Sequence, residues 1–172
     1  FISQEDIKTA FVKVGIGTER KSRIISDKER KITAYHESGH AILFHVLPDV
    51  GPVYSVSIIP TGAGAAGYTM PLPERDDMFM TKGRMLQEIM VSLGGASSDI
   101  KKATQIAKKM VTRYGMSENV GVICYDDDDD EVFIGRDLAH AKAHSELVSG
   151  EIDREIHRII DECYAKAKAL IL

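Results

Sequence analysis

The chain has 172 residues, 44% of them hydrophobic and 28% charged, with a formal net charge of −4. That is length enough for a proper core in one domain and the composition of an ordinary soluble globular protein. The negative balance leaves no basic footprint and removes nucleic acid from the expected partners. No apolar run approaches the roughly 20 residues that span a bilayer, and no signal peptide stands at Phe1, where the pattern begins as a fragment of a longer chain would. Cys124 and Cys163 have no Cys-x-x-Cys spacing and are expected to be reduced thiols of a cytosol-like compartment, not ligands.

In chain order, Ser3-Gln4-Glu5-Asp6 caps a short first helix with Ile7, Ala10, Phe11 and Val14 at helical spacing, ended by Gly15 and Gly17. Glu19-Arg20-Lys21-Ser22-Arg23 is read as a solvated connector. Ser26-Asp27-Lys28-Glu29 is a capping box, and the helix it opens runs without Pro or Gly until Gly39 and stops at Leu47 before Pro48. Ala34, Ala41, Ile42 and Leu43 make this helix look buried.

Mid-helix stands His36-Glu37-Ser38-Gly39-His40. Positions i and i+4 share a helix face, so both imidazoles can reach one small cation. Neutral imidazole suits zinc, and a catalytic zinc takes three protein ligands and keeps its fourth position for water. Bound zinc lowers that water's pKa from 15.7 to about 7, and Glu37 is placed to take the proton. The pattern is that of metal-assisted peptide hydrolysis, with Glu37 as catalytic base and His36 and His40 as metal ligands.

Beyond Pro48, Tyr54 to Ile58 alternates with period two and predicts a strand, closed by Pro60. It carries no charge, and it is expected to be a sheet edge along which an extended substrate can pair. The run Thr61 to Gly67 is a turn; it lacks the Lys-Ser/Thr ending of a phosphate loop and opens no helix. Tyr68-Thr69-Met70 predicts the returning strand. Thr81 starts a third helix with Met85, Leu86, Ile89, Met90 and Leu93 on one side, ended by Gly94-Gly95. Ser97-Ser98-Asp99 caps a fourth, with Ile100, Ala103, Ala107, Met110, Val111 and Tyr114 at helical spacing and Gly115 as its stop. Asp126 to Glu131 reads as a solvated acidic loop, without the glycine of a calcium-binding EF-hand. A last helix runs from Ser145 to Leu170, with Ile152, Ile156, Ile159, Ile160 and Cys163 as its stripe; His140, His144 and His157 on or near it are expected on a polar face. The pattern as a whole predicts a mainly α fold, with a small, short-stranded sheet beside the zinc helix.

Two histidines leave the metal one ligand short. The acids on ordered elements are Glu88, in mid-helix, and Asp99, at a helix start; Glu74, Asp76 and Asp77 lie in a Pro-flanked loop. Spacing does not choose between Glu88 and Asp99.

Four stretches do more: Glu19 to Arg23; Ala34 to Ala41; Val56 to Pro60 with Gly67-Tyr68-Thr69; and Ala96 to Thr104. Together with Gly135-Arg136-Asp137 and Ile152 to Glu155, they resemble the peptidase domain of FtsH, the membrane-anchored AAA+ zinc metalloprotease family, nearly end to end. The resemblance implies one peptidase domain over residues 1–172, with zinc held by His36, His40 and Asp99 and Glu37 as general base. It implies an ATP-dependent endopeptidase that degrades unfolded and membrane proteins. ATP and Mg2+ would act only through an ATPase module N-terminal on the same chain. It further implies a homohexamer at the cytoplasmic face of the bacterial inner membrane, tethered by an N-terminal anchor, with the present stretch soluble. Two other readings remain: a non-catalytic oligomerisation scaffold, expected to have lost Glu37 or a histidine, and a small-peptide zinc hydrolase. The chain departs from the family at Thr61, where a basic residue is usual. It departs again at Gly95-Ala96, where the family has an extra Ala- and Glu-rich stretch; a loop absent at that junction is expected in preference to a true deletion.

Overall fold

Most of the helices start where a side chain can hold the first free backbone N–H groups. In the computed structural model, which describes residues 1–19, 25–61, 65–72, 79–94, 97–125 and 145–172, α1 spans Gln4–Ile16, α2 Asp27–Val46, α3 Lys82–Leu93, α4 Ser97–Thr112 and α5 Glu146–Ile171. Ser3, Ser26, Thr81 and Ser145 are the N-caps of α1, α2, α3 and α5, and the first two form reciprocal capping boxes with Asp6 and Glu29. With one two-stranded sheet, the described residues are mainly helical, as the pattern predicts. The basic connector from Arg20 on, the loop acids Glu74, Asp76 and Asp77, the Gly95-Ala96 junction, the acidic run, Gly135-Arg136-Asp137, His140 and His144 lie outside the described residues. The chain divides into two compact units, Phe1–Asp76 and Asp77–Leu170.

In the first unit β1 (Val53–Ser57) and β2 (Tyr68–Pro71) pair antiparallel, with Ser57 opposite Tyr68 and Val56 opposite Thr69, and α2 packs against both strands. β1 starts one residue before the predicted strand and stops earlier, because the Ile59 N–H turns back to donate to Ser57 Oγ at 3.1 Å. Among the described residues β1 pairs only with β2, so it is an edge strand. One expectation changes here, that of α2. The stripe of α1 lies on the surface, with Ile7 61% and Val14 89% exposed, and Phe11 meets the Tyr54 ring edge-on at 6.0 Å. In α2 the buried face is not the apolar one: Ile32, Tyr35, Ile42 and Val46 are exposed, whereas Thr33, Glu37, Gly39, His40 and Leu43 are buried. A helix that turns a carboxylate and an imidazole inward must satisfy them there.

In the second unit α3 packs on α4, with Met85, Ile89, Ala103, Ala107, Met110 and Val111 in the core. Gly115, at φ +57°, ends the segment after α4, and a Cβ there would come within 2.9 Å of Val122 Cα, so glycine is required. Cys163 on α5 is buried and donates to the Leu86 carbonyl at 3.7 Å. Burial pushes its thiol up to about 11, which makes it a packing residue rather than a nucleophile.

The buried stripe of α5, Ile152, Glu155, Ile159, Cys163 and Ala167, includes one acid. Glu155 accepts from Arg158 Nε at 3.1 Å and Nη2 at 2.9 Å, from Ser117 Oγ at 2.8 Å and from Asn119 Nδ2 at 2.5 Å. Ser117 Oγ also accepts from the Val120 N–H, so the carboxylate ties the turn after α4 to α5. The Arg158 hydrogen bonds, helped by Asn119 and Ser117 and opposed by burial, hold the Glu155 carboxyl at about 2. A folded-state pKa below the unfolded one adds stability that is complete above about 4.5 and is lost as pH falls toward 2. Glu155→Gln is therefore expected to cost roughly 1.5–3 kcal/mol at pH 7, the worth of a hydrogen bond to a charged group, and less at pH 2.5. Urea midpoints at both pH values check this; wild-type and variant curves that stay parallel from pH 5 to 2.5 would show that the carboxylate contributes nothing.

Candidate metal centre and active site

One turn of α2 separates His36 from His40, and their rings stand 4.7 Å apart between centroids, nearly perpendicular at 87°. His40 is buried and His36 half-buried. Between them in sequence, Glu37 faces inward and is 4% exposed. Its partner comes from β2: Thr69 Oγ1 lies 2.7 Å from Glu37 Oε2, to which it donates, and 3.1 Å from the Glu37 backbone carbonyl.

The strand can come this close because residue 67 is glycine. A Cβ at Gly67 would stand 2.6 Å from Ser57 O, 2.7 Å from Thr33 Cγ2 and 3.0 Å from Glu37 Oε1. The first is backbone and the second belongs to a buried threonine one turn before Glu37, so neither yields cheaply. Sequence reasoning assigned no role to Thr69 or Gly67. The signal was the Gly67-Tyr68-Thr69 tripeptide, which carried resemblance but no periodicity that would bring it to Glu37.

Asp99 lies in the first turn of α4 and is half-buried. Glu88, the other acid that spacing left open, pairs instead with Arg84 one turn earlier, Nε to Oε1 at 3.4 Å. His36, His40 and Asp99 form a His-His-Asp group that could hold a metal ion. Two imidazoles and one carboxylate match the donor types of a catalytic zinc, which takes three protein ligands and keeps a fourth position for water. His157 lies exposed on α5, outside that group. Thr61 is 2% exposed.

Residues 23–172 match the model of peptidase family M41. The chain belongs to that family. The M41 chain is 47% identical to the ATP-dependent zinc metalloprotease FtsH of Caldicellulosiruptor bescii, over 99% of this chain and 30% of that protein. It is 44% identical to the protein of the same name from Veillonella parvula, over 99% of this chain and 28% of that one. A third FtsH, from Rubrobacter xylanophilus, is 43% identical with the same coverage. The chain thus spans about 30% of the length of these relatives. The alignment with the first covers 184 positions, at least 12 more than the 172 residues here, so that relative carries residues with no counterpart in this chain. As an M41 member the chain is a metalloprotease domain, and its donor set suits the zinc in its relatives' names. No helix among the described residues is long and apolar enough to cross a membrane.

Proposed function

We propose that this chain is the zinc-dependent endopeptidase domain of an ATP-dependent FtsH-like protease that degrades unfolded and membrane proteins. Zinc would be held by His36, His40 and Asp99, with Glu37 as general base. The observation that carries the reading is the His-His-Asp donor set together with the buried, hydrogen-bonded carboxylate next to His36. Zinc, when bound, supplies a Lewis acid that polarises the scissile carbonyl and makes a water acidic enough to ionise near neutral pH. Glu37 accepts the proton of the attacking water at Oε1, the oxygen Thr69 does not engage, and passes it to the leaving amine nitrogen. The open edge of β1 offers backbone N–H and C=O groups to an extended substrate, and pairing through backbone suits an enzyme that takes many unfolded sequences.

In the whole protein an ATPase module N-terminal to this chain would unfold and feed substrate. The assembly would be a homohexamer, and an N-terminal anchor would hold it at the cytoplasmic face of the bacterial inner membrane. The test gives the full-length protein, with zinc and ATP, an unfolded protein and a dipeptide in parallel. Degradation of the protein, dependent on ATP and zinc, with the dipeptide untouched, is the expected result. Dipeptide hydrolysis without ATP would make it a small-peptide hydrolase, and a zinc-loaded protein that cleaves neither would make it a scaffold.

A further inference from the structure

Resting on the reading of Glu37 as base, we propose that Thr69 is the positioning residue for its proton transfer. The hydroxyl anchors Oε2 and leaves Oε1 to handle the proton. A glutamate side chain left loose samples many rotamers; a base must instead be fixed before the proton moves. The fixing comes from one strand. At 2.7 Å the Thr69 hydroxyl is a short, charge-assisted donor to Oε2. Two residues earlier, Gly67 leaves open the space beside Oε1 that a Cβ would take, since a Cβ there would come to 3.0 Å. The Thr69 bond therefore fixes Oε2, while the missing Cβ of Gly67, just before β2, keeps the space beside Oε1 open. Glu37 is 4% exposed, so bulk water does not compete for Oε2. The same hydroxyl also lies 3.1 Å from the Glu37 carbonyl, which ties the strand to the helix at the residue that has to be held.

A plain staple between β2 and α2 would use the same hydrogen bonds, so the test must separate structure from positioning. Thr69→Val keeps the shape and removes the hydroxyl; Thr69→Ser restores it. In the zinc-loaded full-length protein, Thr69→Val is expected to lower kcat by up to about 10²-fold, the cost of misplacing a reacting group by about 1 Å. KM, zinc content and melting temperature should stay near wild type, and Thr69→Ser should recover most of kcat. A peptide hydroxamate, whose acidic O–H needs the base carboxylate in place, should bind Thr69→Val more weakly. In a Glu37→Gln background, Thr69→Val should change neither hydroxamate affinity nor residual kcat. Equal losses in both backgrounds, or a matching loss of zinc or melting temperature, would make Thr69 a staple and overturn the proposal. Wild-type kcat in Thr69→Val beside an inactive Glu37→Gln would overturn the positioning role alone. A Glu37→Gln protein active at full zinc content would bring down both the base and its positioning residue.

Discussion

Glu37→Gln is expected to keep its zinc and its fold and to lose roughly 10²- to 10⁴-fold in proteolytic rate, the usual worth of general acid–base catalysis. Glutamine has the size of glutamate, and its amide oxygen can still accept from Thr69 Oγ1, which now stands 2.7 Å from Oε2. The buried pocket bounded by Thr33 and Gly67 therefore needs no rearrangement. What disappears is the basic oxygen, since an amide takes up no proton near neutral pH. A loss of that size is about 3–5 kcal/mol of barrier, several times what the exchange of one neutral hydrogen bond for another can shift. The measurement pairs zinc per chain with the rate at which full-length enzyme and ATP degrade an unfolded protein. Wild-type rate at full zinc content would mean that another group takes the proton. A rate that falls only in step with zinc would mean that Glu37 supports the metal rather than the chemistry.

What could be read in the sequence was whatever is local. Caps act within three residues, so Ser3, Ser26, Thr81 and Ser145 announced α1, α2, α3 and α5 before any packing was known. The i,i+4 rule gave the His36–His40 pair for the same reason. Alternation gave β1, and the turn before Tyr68 its return as β2, nearly to the residue. What stayed hidden depends on residues far apart in sequence. Thr69 reaches Glu37 across 32 residues and Ser117 reaches Glu155 across 38, and no period connects either pair. In the stripe of α5 Glu155 reads as an interruption, yet it is buried because Arg158, Ser117 and Asn119 surround it. Apolar content also misled on α2, and helical spacing on α1 does not tell which way its stripe faces. On α1 the stripe faces outward, and on α2 the inward side is the one with the carboxylate and the histidine. In α2 burial follows chemistry: Thr69 and Gly67 accommodate Glu37, so a polar side can be the inner one.

Asp99→Ala is expected to strip the enzyme of zinc and with it of proteolysis. Losing a residue that merely orients a ligand typically costs roughly 10- to 100-fold in metal affinity; losing one of three ligands should cost more. Asp99 has an ordinary alternative role, because an acid in the first turn of a helix complements the positive end of its dipole. That role is worth about 0.3–1 kcal/mol of stability and nothing in zinc, so the two readings part on the metal. Glu88→Ala is the matched control. It removes an acid that spacing alone could not rank below Asp99, and one that the structure pairs with Arg84 at 3.4 Å. Zinc titration against a competing chelator, on wild type and both variants, decides the matter. The ligand role requires that Asp99→Ala bind zinc far more weakly while Glu88→Ala holds it as tightly as wild type. Tight zinc in Asp99→Ala with a small fall in melting temperature would leave Asp99 as a helix-end charge. Loss of zinc in Glu88→Ala alone would make Glu88 the third ligand. Activity then has to follow zinc through the series, since two imidazoles on one turn of α2 provide only two of the three protein ligands that a catalytic zinc takes.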